Sequence, residues 1–209
     1  ICFRKFLNQK TMKKTLILST IFFFFISFSF SQEAAVQPQI NWLSWFEAIE
    51  QHQKDMIAYN DTTIPVNQRV PPKKMYIDFY TSWCGWCKKM DKTTFQDPAI
   101  ISIMNKYYYP VKFNAEMSQP IDFNGHTFVN PNPGKTRSTH QFAASILEYQ
   151  LSYPSYVVLD ENLQRSVIYK GYLQVDDLLG IILFFGKNRN QTYLQQITKQ
   201  VKQQEAVKK

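Results

Sequence analysis

Cysteine is scarce in this chain: three among 209 residues, at positions 2, 84 and 87. Two to three thiols cannot staple a small domain, so a disulfide scaffold is excluded. Histidine is equally sparse, with His52, His126 and His140 far apart in sequence. Structural zinc takes four ligands, and this chain offers no cysteine–histidine set with the spacing to supply them. Acidic residues are absent from the first 31 positions, and no internal repeat is present. No stretch has the length of an unambiguous membrane span. The longest apolar run, Leu16–Phe30, falls short of the roughly 20 residues a bilayer needs.

That run has a different reading. Met12-Lys13-Lys14 is a positive start, Leu16–Phe30 is almost wholly apolar, and Ser29-Phe30-Ser31 is a small-x-small site followed by Gln32. This is the pattern of a secretory signal peptide cleaved near Ser31–Gln32. An uncleaved membrane anchor is the alternative. Met12 is the better start, which makes residues 1–11 an upstream extension. Five of the 24 basic residues and none of the 16 acidic ones lie in residues 1–31. The remainder carries 19 against 16, so the formal charge of +8 belongs largely to the leader. The rest of the chain has no basic excess that argues for nucleic acid as a partner.

The most informative stretch is Met75–Lys88, a buried strand running into Cys84-Gly85-Trp86-Cys87 at the start of a helix. A helix N-terminus carries free N–H groups and partial positive charge. Both favour thiolate over thiol, so Cys84 is expected to be the reactive, more exposed sulfur. Cys87 lies one turn further on, within reach to close a disulfide. The chemistry this proposes is reversible dithiol–disulfide exchange, with the cysteine pair as redox group and no cofactor. An inert disulfide, or a metal half-site shared between chains, are the competing readings. A four-residue loop argues against the first, since closing it removes little unfolded-chain entropy.

Around this motif the chain reads as one domain, 73–190, preceded by a helix-and-loop segment, 32–72, and followed by a polar tail, 191–209. Helical periodicity covers Ile40–Tyr59, with Leu43, Phe46, Ile49 and Met56 on one face. Asn60–Pro72 is a loop and Lys73–Tyr80 a strand. Cys84–Lys92 and Ala99–Tyr107 are helices, the second announced by Asp97-Pro98 as N-cap and N1. Tyr109–Asn114 is a strand. Asn124-Gly125, between apolar neighbours, predicts a type I′ hairpin over Ile121–Val129. Asn130–Thr136 is a loop and Thr139–Leu151 a helix. Tyr156–Leu159 and Arg165–Tyr169 pair as a hairpin, Val175–Phe185 is a helix, and Thr192–Lys209 a fraying one. Alternating strands and helices that close on a hairpin argue for an α/β mixed sheet flanked by helices.

These residues resemble the thioredoxin superfamily. Trp83-Cys84-Gly85-Trp86-Cys87-Lys88 is similar to its active site. Asp78, six residues earlier, matches the buried carboxylate, and Val111-Lys112-Phe113-Asn114 the strand that places a lysine beside it. Tyr153-Pro154-Ser155 matches the cis-proline loop, and Gly171 the glycine before the last helix. Together these cover roughly Lys73–Phe185. The run Asp-Phe-Tyr-x-x-Trp-Cys-x-x-Cys-Lys-Lys-Met, followed by Thr-Phe-x-Asp-Pro, resembles one branch most. That branch holds the exported reductase-type domain of the transmembrane thiol:disulfide interchange protein and many secreted thioredoxin-like proteins of Bacteroidetes-type bacteria. The latter often begin with an Asn-Trp-Leu-Ser helix, as at Asn41–Ser44. Two departures stand out: Gly-Trp between the cysteines instead of Gly-Pro, and an insertion, about 115–150, before the cis-proline loop.

The resemblance implies a thioredoxin-like fold and a set of roles. Cys84 is the nucleophile and Cys87 the resolving thiol, joined as a Cys84–Cys87 disulfide when oxidised. Asp78, in an apolar strand, is a raised-pKa acid that handles the Cys87 proton; a solvent-facing aspartate is the alternative. Lys112 supports Asp78, or is a surface lysine. Trp83, Gly85, Trp86, Tyr153 and Pro154 face the substrate, with Pro154 cis and the Tyr153 backbone left to pair with an extended client strand. Core packing competes for the tryptophans, an ordinary trans turn for Pro154. His126 and His140 are expected at the surface. The implied partners are protein disulfides or dithiols and a membrane redox protein, in the periplasm. The implied activity is protein-disulfide reductase or isomerase. A disulfide-donating oxidase and a client-specific binding protein, for example in cytochrome c maturation, are the alternatives.

Overall fold

The computed structural model describes residues 38–207, with side chains described up to residue 200. The leader expected over residues 1–31 lies outside them. Among the described residues, no helix is long and apolar enough to cross a membrane.

Helix α1 spans Trp45–Asn60, five residues later than helical periodicity predicts. Its start is set by a capping box: the Ser44 hydroxyl accepts from the Glu47 N–H, and the Glu47 carboxylate accepts from the Ser44 N–H at 2.7 Å. Ile40–Leu43 is therefore not helical. The Leu43 N–H donates to the Pro110 carbonyl at 2.8 Å, and the Lys112 N–H donates to the Leu43 carbonyl at 3.0 Å. This bridge partly covers the edge of the main sheet.

The sheet has four strands in the order β2-β1-β5-β6. β1 (Lys74–Tyr80) runs parallel to β2 (Tyr108–Asn114) and antiparallel to β5 (Ser155–Leu159), which pairs antiparallel with β6 (Arg165–Lys170). β1 is central and buried on both faces. Its side chains alternate between two cores, as a pleated strand requires. Met75, Ile77 and Phe79 join Trp45, Ala48 and Phe142 on one face. Tyr76 points the other way, toward Met90, Ile100, Met104, Leu178 and Ile182. Those residues belong to α2 (Gly85–Lys92), α3 (Pro98–Tyr107) and α5 (Val175–Gly186). Asp97 caps α3 through the Ala99 and Ile100 N–H groups, with Pro98 at its start. A final helix, α6, spans Arg189–Val207.

The insertion is ordered. β3 (Ile121–Phe123) and β4 (His126–Phe128) form the hairpin, with Asn124 at φ 51° and Gly125 at φ 73° as its two-residue turn. Buried Asn130 organises the loop that follows, its amide donating to the carbonyls of Glu116, Met117 and Ser138. Helix α4 is shorter than expected, Gln141–Ile146. It ends in a Schellman arrangement: the Tyr149 N–H reaches the Ala144 carbonyl and the Glu148 N–H the Ser145 carbonyl. Glu148 and Tyr149 both take positive φ there, where glycine is the usual residue.

His140 corrects an expectation. It is fully buried, not at the surface. Its Nδ1 accepts from the Phe142 N–H, capping α4, and its Nε2 lies 3.1 Å from the Gln119 carbonyl. These partners call for the neutral tautomer with the proton on Nε2. Burial holds its pKa below the ordinary histidine value. His126 is exposed, as expected.

Candidate active site

Cys84 and Cys87 are joined as a disulfide at the N-terminus of α2. Cys84 is the N-cap residue, and its Sγ accepts from the Cys87 N–H at 3.0 Å. The Cys84 N–H in turn donates to the Thr81 carbonyl, which fixes the turn between β1 and α2. The two cysteines differ little in exposure, 4% and 2%. What separates them is the cap. The helix N–H that points at Cys84 Sγ is of the kind that favours negative charge on a sulfur, and Cys84 is the one that receives it. The tryptophans carry the exposed surface, Trp83 at 45% and Trp86 at 55%. Neither is therefore packed in the core.

Asp78 is 1% exposed. β1–β2 register sets it directly beside Lys112, whose Nζ donates to Asp78 Oδ2 at 2.5 Å. Burial raises the Asp78 pKa and outweighs the attraction of Lys112, leaving it at about 6. Asp78 Oδ1 is buried without a hydrogen-bond partner among the described residues. An unpaired buried carboxylate oxygen is costly, and it is available to a proton or a water.

Sequence reasoning missed Asp91. It lies on α2 one turn after Cys87, and its Oδ1 accepts a second hydrogen bond from the Lys112 ammonium. Lys112 thus ties the buried strand acid to the helix that carries both cysteines. The rings of Trp42, Tyr80 and Phe95 surround the same ammonium, with centroids 4.9–5.3 Å away. Burial alone would lower the Lys112 pKa; the two carboxylates outweigh it and raise it. The spacing Cys87 to Asp91, i to i+4 on one helix face, was the available signal. Asp91→Asn should move the Asp78 pKa below about 6, because it removes a repelling charge and leaves Lys112 to Asp78 alone. A carboxyl-carbon NMR titration of Asp78 measures this; an unchanged or higher midpoint contradicts the shared-lysine arrangement.

The Tyr153–Pro154 peptide is cis. The Gly171 N–H donates to the Pro154 carbonyl at 2.8 Å, tying this loop to the end of β6, and Gly171 takes φ +85° to make that contact. The Tyr153 ring meets Trp83 edge-on at 6.0 Å, which brings the loop beside the cysteine motif. Among the described residues, no hydrogen bond uses the Tyr153 backbone. On the other side, Trp86 lies 5.6 Å from Tyr172, with the Lys89 ammonium 4.8 Å from both rings. Among the described residues, no three His, Cys, Asp or Glu side chains gather as a metal site. Gly85 has open space around its Cα, as expected of a residue on the exposed side of the motif.

The family described as "Thioredoxin-like domain" matches residues 67–186, and the chain belongs to it. Solved structures similar to this chain include a thioredoxin-fold protein from Helicobacter pylori. It is 18% identical with TM-score 0.45, covering 68% of this chain and 84% of that one. The oxidised DsbD C-terminal domain of Neisseria meningitidis is 18% identical with TM-score 0.38, covering 70% and 98%. A disulphide isomerase from Xylella fastidiosa is 14% identical with TM-score 0.41, covering 70% and 96%. No curated protein matches the chain. The protein is thus a thioredoxin-like protein with a Cys84–Cys87 disulfide.

Proposed function

We propose that the protein is an exported thiol–disulfide oxidoreductase that reduces or isomerises disulfides of other proteins. The observation that carries this reading is the Cys87 N–H directed at Cys84 Sγ at the head of α2, with the Asp78–Lys112–Asp91 group behind it.

In the reduced protein the Cys84 thiolate attacks one sulfur of a client disulfide. The client's S–S bond breaks, a Cys84–client disulfide forms, and the other client sulfur leaves as a thiolate that takes a proton. Asp78, ionised near neutral pH, accepts the Cys87 proton directly or through a water. The Cys87 thiolate then attacks Cys84 Sγ and the second client sulfur leaves. Two electrons have passed from the dithiol to the client, and Cys84–Cys87 is the disulfide seen here. In an oxidising envelope this disulfide needs a membrane partner to reduce it again. The leader pattern supports export.

The test of direction uses the purified protein with two substrates. With a dithiol as electron source it should reduce a folded protein's accessible disulfide. In a glutathione buffer near the envelope poise it should leave a reduced, unfolded dithiol client largely unoxidised. Efficient oxidation of the second substrate and poor reduction of the first would make it a disulfide donor instead.

A further inference from the structure

The insertion reaches back to the redox motif. Glu116 Oε1 accepts from the Trp83 indole N–H at 3.0 Å and from the Arg137 backbone N–H. The Arg137 guanidinium lies 5.4 Å from the Trp83 ring, over its face. Trp83, the residue before Cys84, is thus held at its edge by Glu116 and over its face by Arg137. Arg137 takes φ +65° there, a left-handed conformation that is costly for a non-glycine residue.

Between these groups and the cis-proline loop is a cavity of about 480 Å³. Trp83, Leu151 and the Tyr153 ring supply its apolar walls, and Thr81, Glu116 and Arg137 are among its polar ones. Thr81 is 98% buried, and its hydroxyl has no hydrogen-bond partner. Among the described residues, no carboxylate lies within ion-pair distance of the Arg137 guanidinium. Glu116 puts one negative charge at the cavity's edge, but two N–H donors already draw on it. Tyr153, whose ring forms a wall, also has a buried hydroxyl without a partner among the described residues, so the cavity's unspent groups are a guanidinium and two buried hydroxyls, all able to donate. An apolar occupant would bury these unpaired, at a cost. A carboxylate would accept charge-assisted hydrogen bonds from such donors and pair with the guanidinium.

We propose that this cavity is a recognition subsite for an acidic side chain next to the reactive cysteine of the client, with Arg137 as its specificity-determining residue. The proposal rests on the exchange reaction proposed above and narrows its clients to cysteines flanked by Asp or Glu. The insertion is what builds the subsite: residues 116 and 137 come from its two sides, and neither belongs to the cysteine motif.

The test uses reduced protein and short cysteine peptides in mixed disulfide with a chromogenic thiol, identical except for Glu, Gln or Lys beside the cysteine. The second-order rate constant for release of the chromogenic thiol in a single turnover should fall in the order Glu, Gln, Lys. Glu should exceed Lys about tenfold at low salt, with the gap narrowing as salt screens it. Arg137→Glu should reverse the order. Arg137→Lys should keep the order with a smaller ratio, and Lys135→Ala, on the same loop outside the cavity wall, should keep the parent ratio. Equal turnover of all three peptides, or an order that survives Arg137→Glu, overturns the subsite and leaves the exchange reaction standing. Failure to turn over any peptide, or the chromogenic disulfide itself, overturns both.

Discussion

Cys84→Ser should lose disulfide-exchange activity by about a thousandfold or more, while Cys87→Ser should take the client's first sulfur and keep it. The two variants differ because the proposed reaction uses the two sulfurs differently. Serine at 84 puts a hydroxyl where the α2 N-terminus stabilises a thiolate, and an un-ionised hydroxyl does not attack a disulfide at neutral pH. Serine at 87 leaves the proposed nucleophile intact and removes the sulfur that the proposed reaction uses to release it. Cys84 accepts from the Cys87 N–H, a backbone group that serine at 87 retains. The Cys87→Ser protein should therefore accumulate a Cys84–client disulfide, seen as a dithiol-sensitive mass increase on non-reducing separation. Comparable trapping by Cys84→Ser would reverse the assignment.

The second large effect concerns Asp78. Asp78→Asn should make the oxidised protein more stable at pH 8 by about 2 to 3 kcal/mol and slow release of the mixed disulfide by about a hundredfold. The stability part follows from linkage. The carboxyl titrates near 6 in the folded protein and near 3.8 when unperturbed, because burial penalises its charge. The folded chain thus binds this proton more tightly than the unfolded one. Stability is therefore highest below the unfolded value. It falls as pH rises from about 4 to about 6, and the cost stays in full above that. Asparagine carries no charge to desolvate, so the two proteins should converge near pH 4 and part above it. His140, whose depressed pKa lowers stability as pH falls below its unfolded value, acts equally on both and cancels in the difference. Chemical denaturation across pH 4–8 measures the difference. A constant gap would mean that the Asp78 charge is fully compensated by Lys112. The kinetic part separates a proton-handling acid from a merely strained one: the gain in stability should come with a loss in rate.

Much of this arrangement was legible because its signals are local. Asp97-Pro98, Asn124-Gly125 and the cysteine motif each dictate a few neighbouring dihedral angles, and each lies where those rules place it. The Asp78–Lys112 pair was legible only through resemblance, since strand register brings together residues 34 apart. Other features lacked their usual marks. α4 opens on a histidine cap and ends with glutamate and tyrosine at positive φ, so neither end carries a Ser/Asp or Gly signal. The start of α1 was misplaced because apolar spacing continues through Leu43, whereas the Ser44–Glu47 box decides where helical hydrogen bonding begins. Glu116 and Arg137 were invisible as site residues. They meet Trp83 only after the insertion has folded around Asn130, and no local pattern encodes that closure.

The arrangement of α2 over a buried acid also accounts for why the cysteine pair is read as reactive rather than structural. A structural disulfide needs neither a capped sulfur nor an acid pushed to about 6 beneath its helix. The equilibrium reduction potential of Cys84–Cys87, measured in the purified protein against a dithiol–disulfide buffer, tests this most directly. The account predicts a reversible two-electron couple between about −270 and about −120 mV, the span of exchange-active proteins, with the lower end for a reductase. A couple below about −300 mV, where structural disulfides lie, or no reversible couple at all, would contradict it.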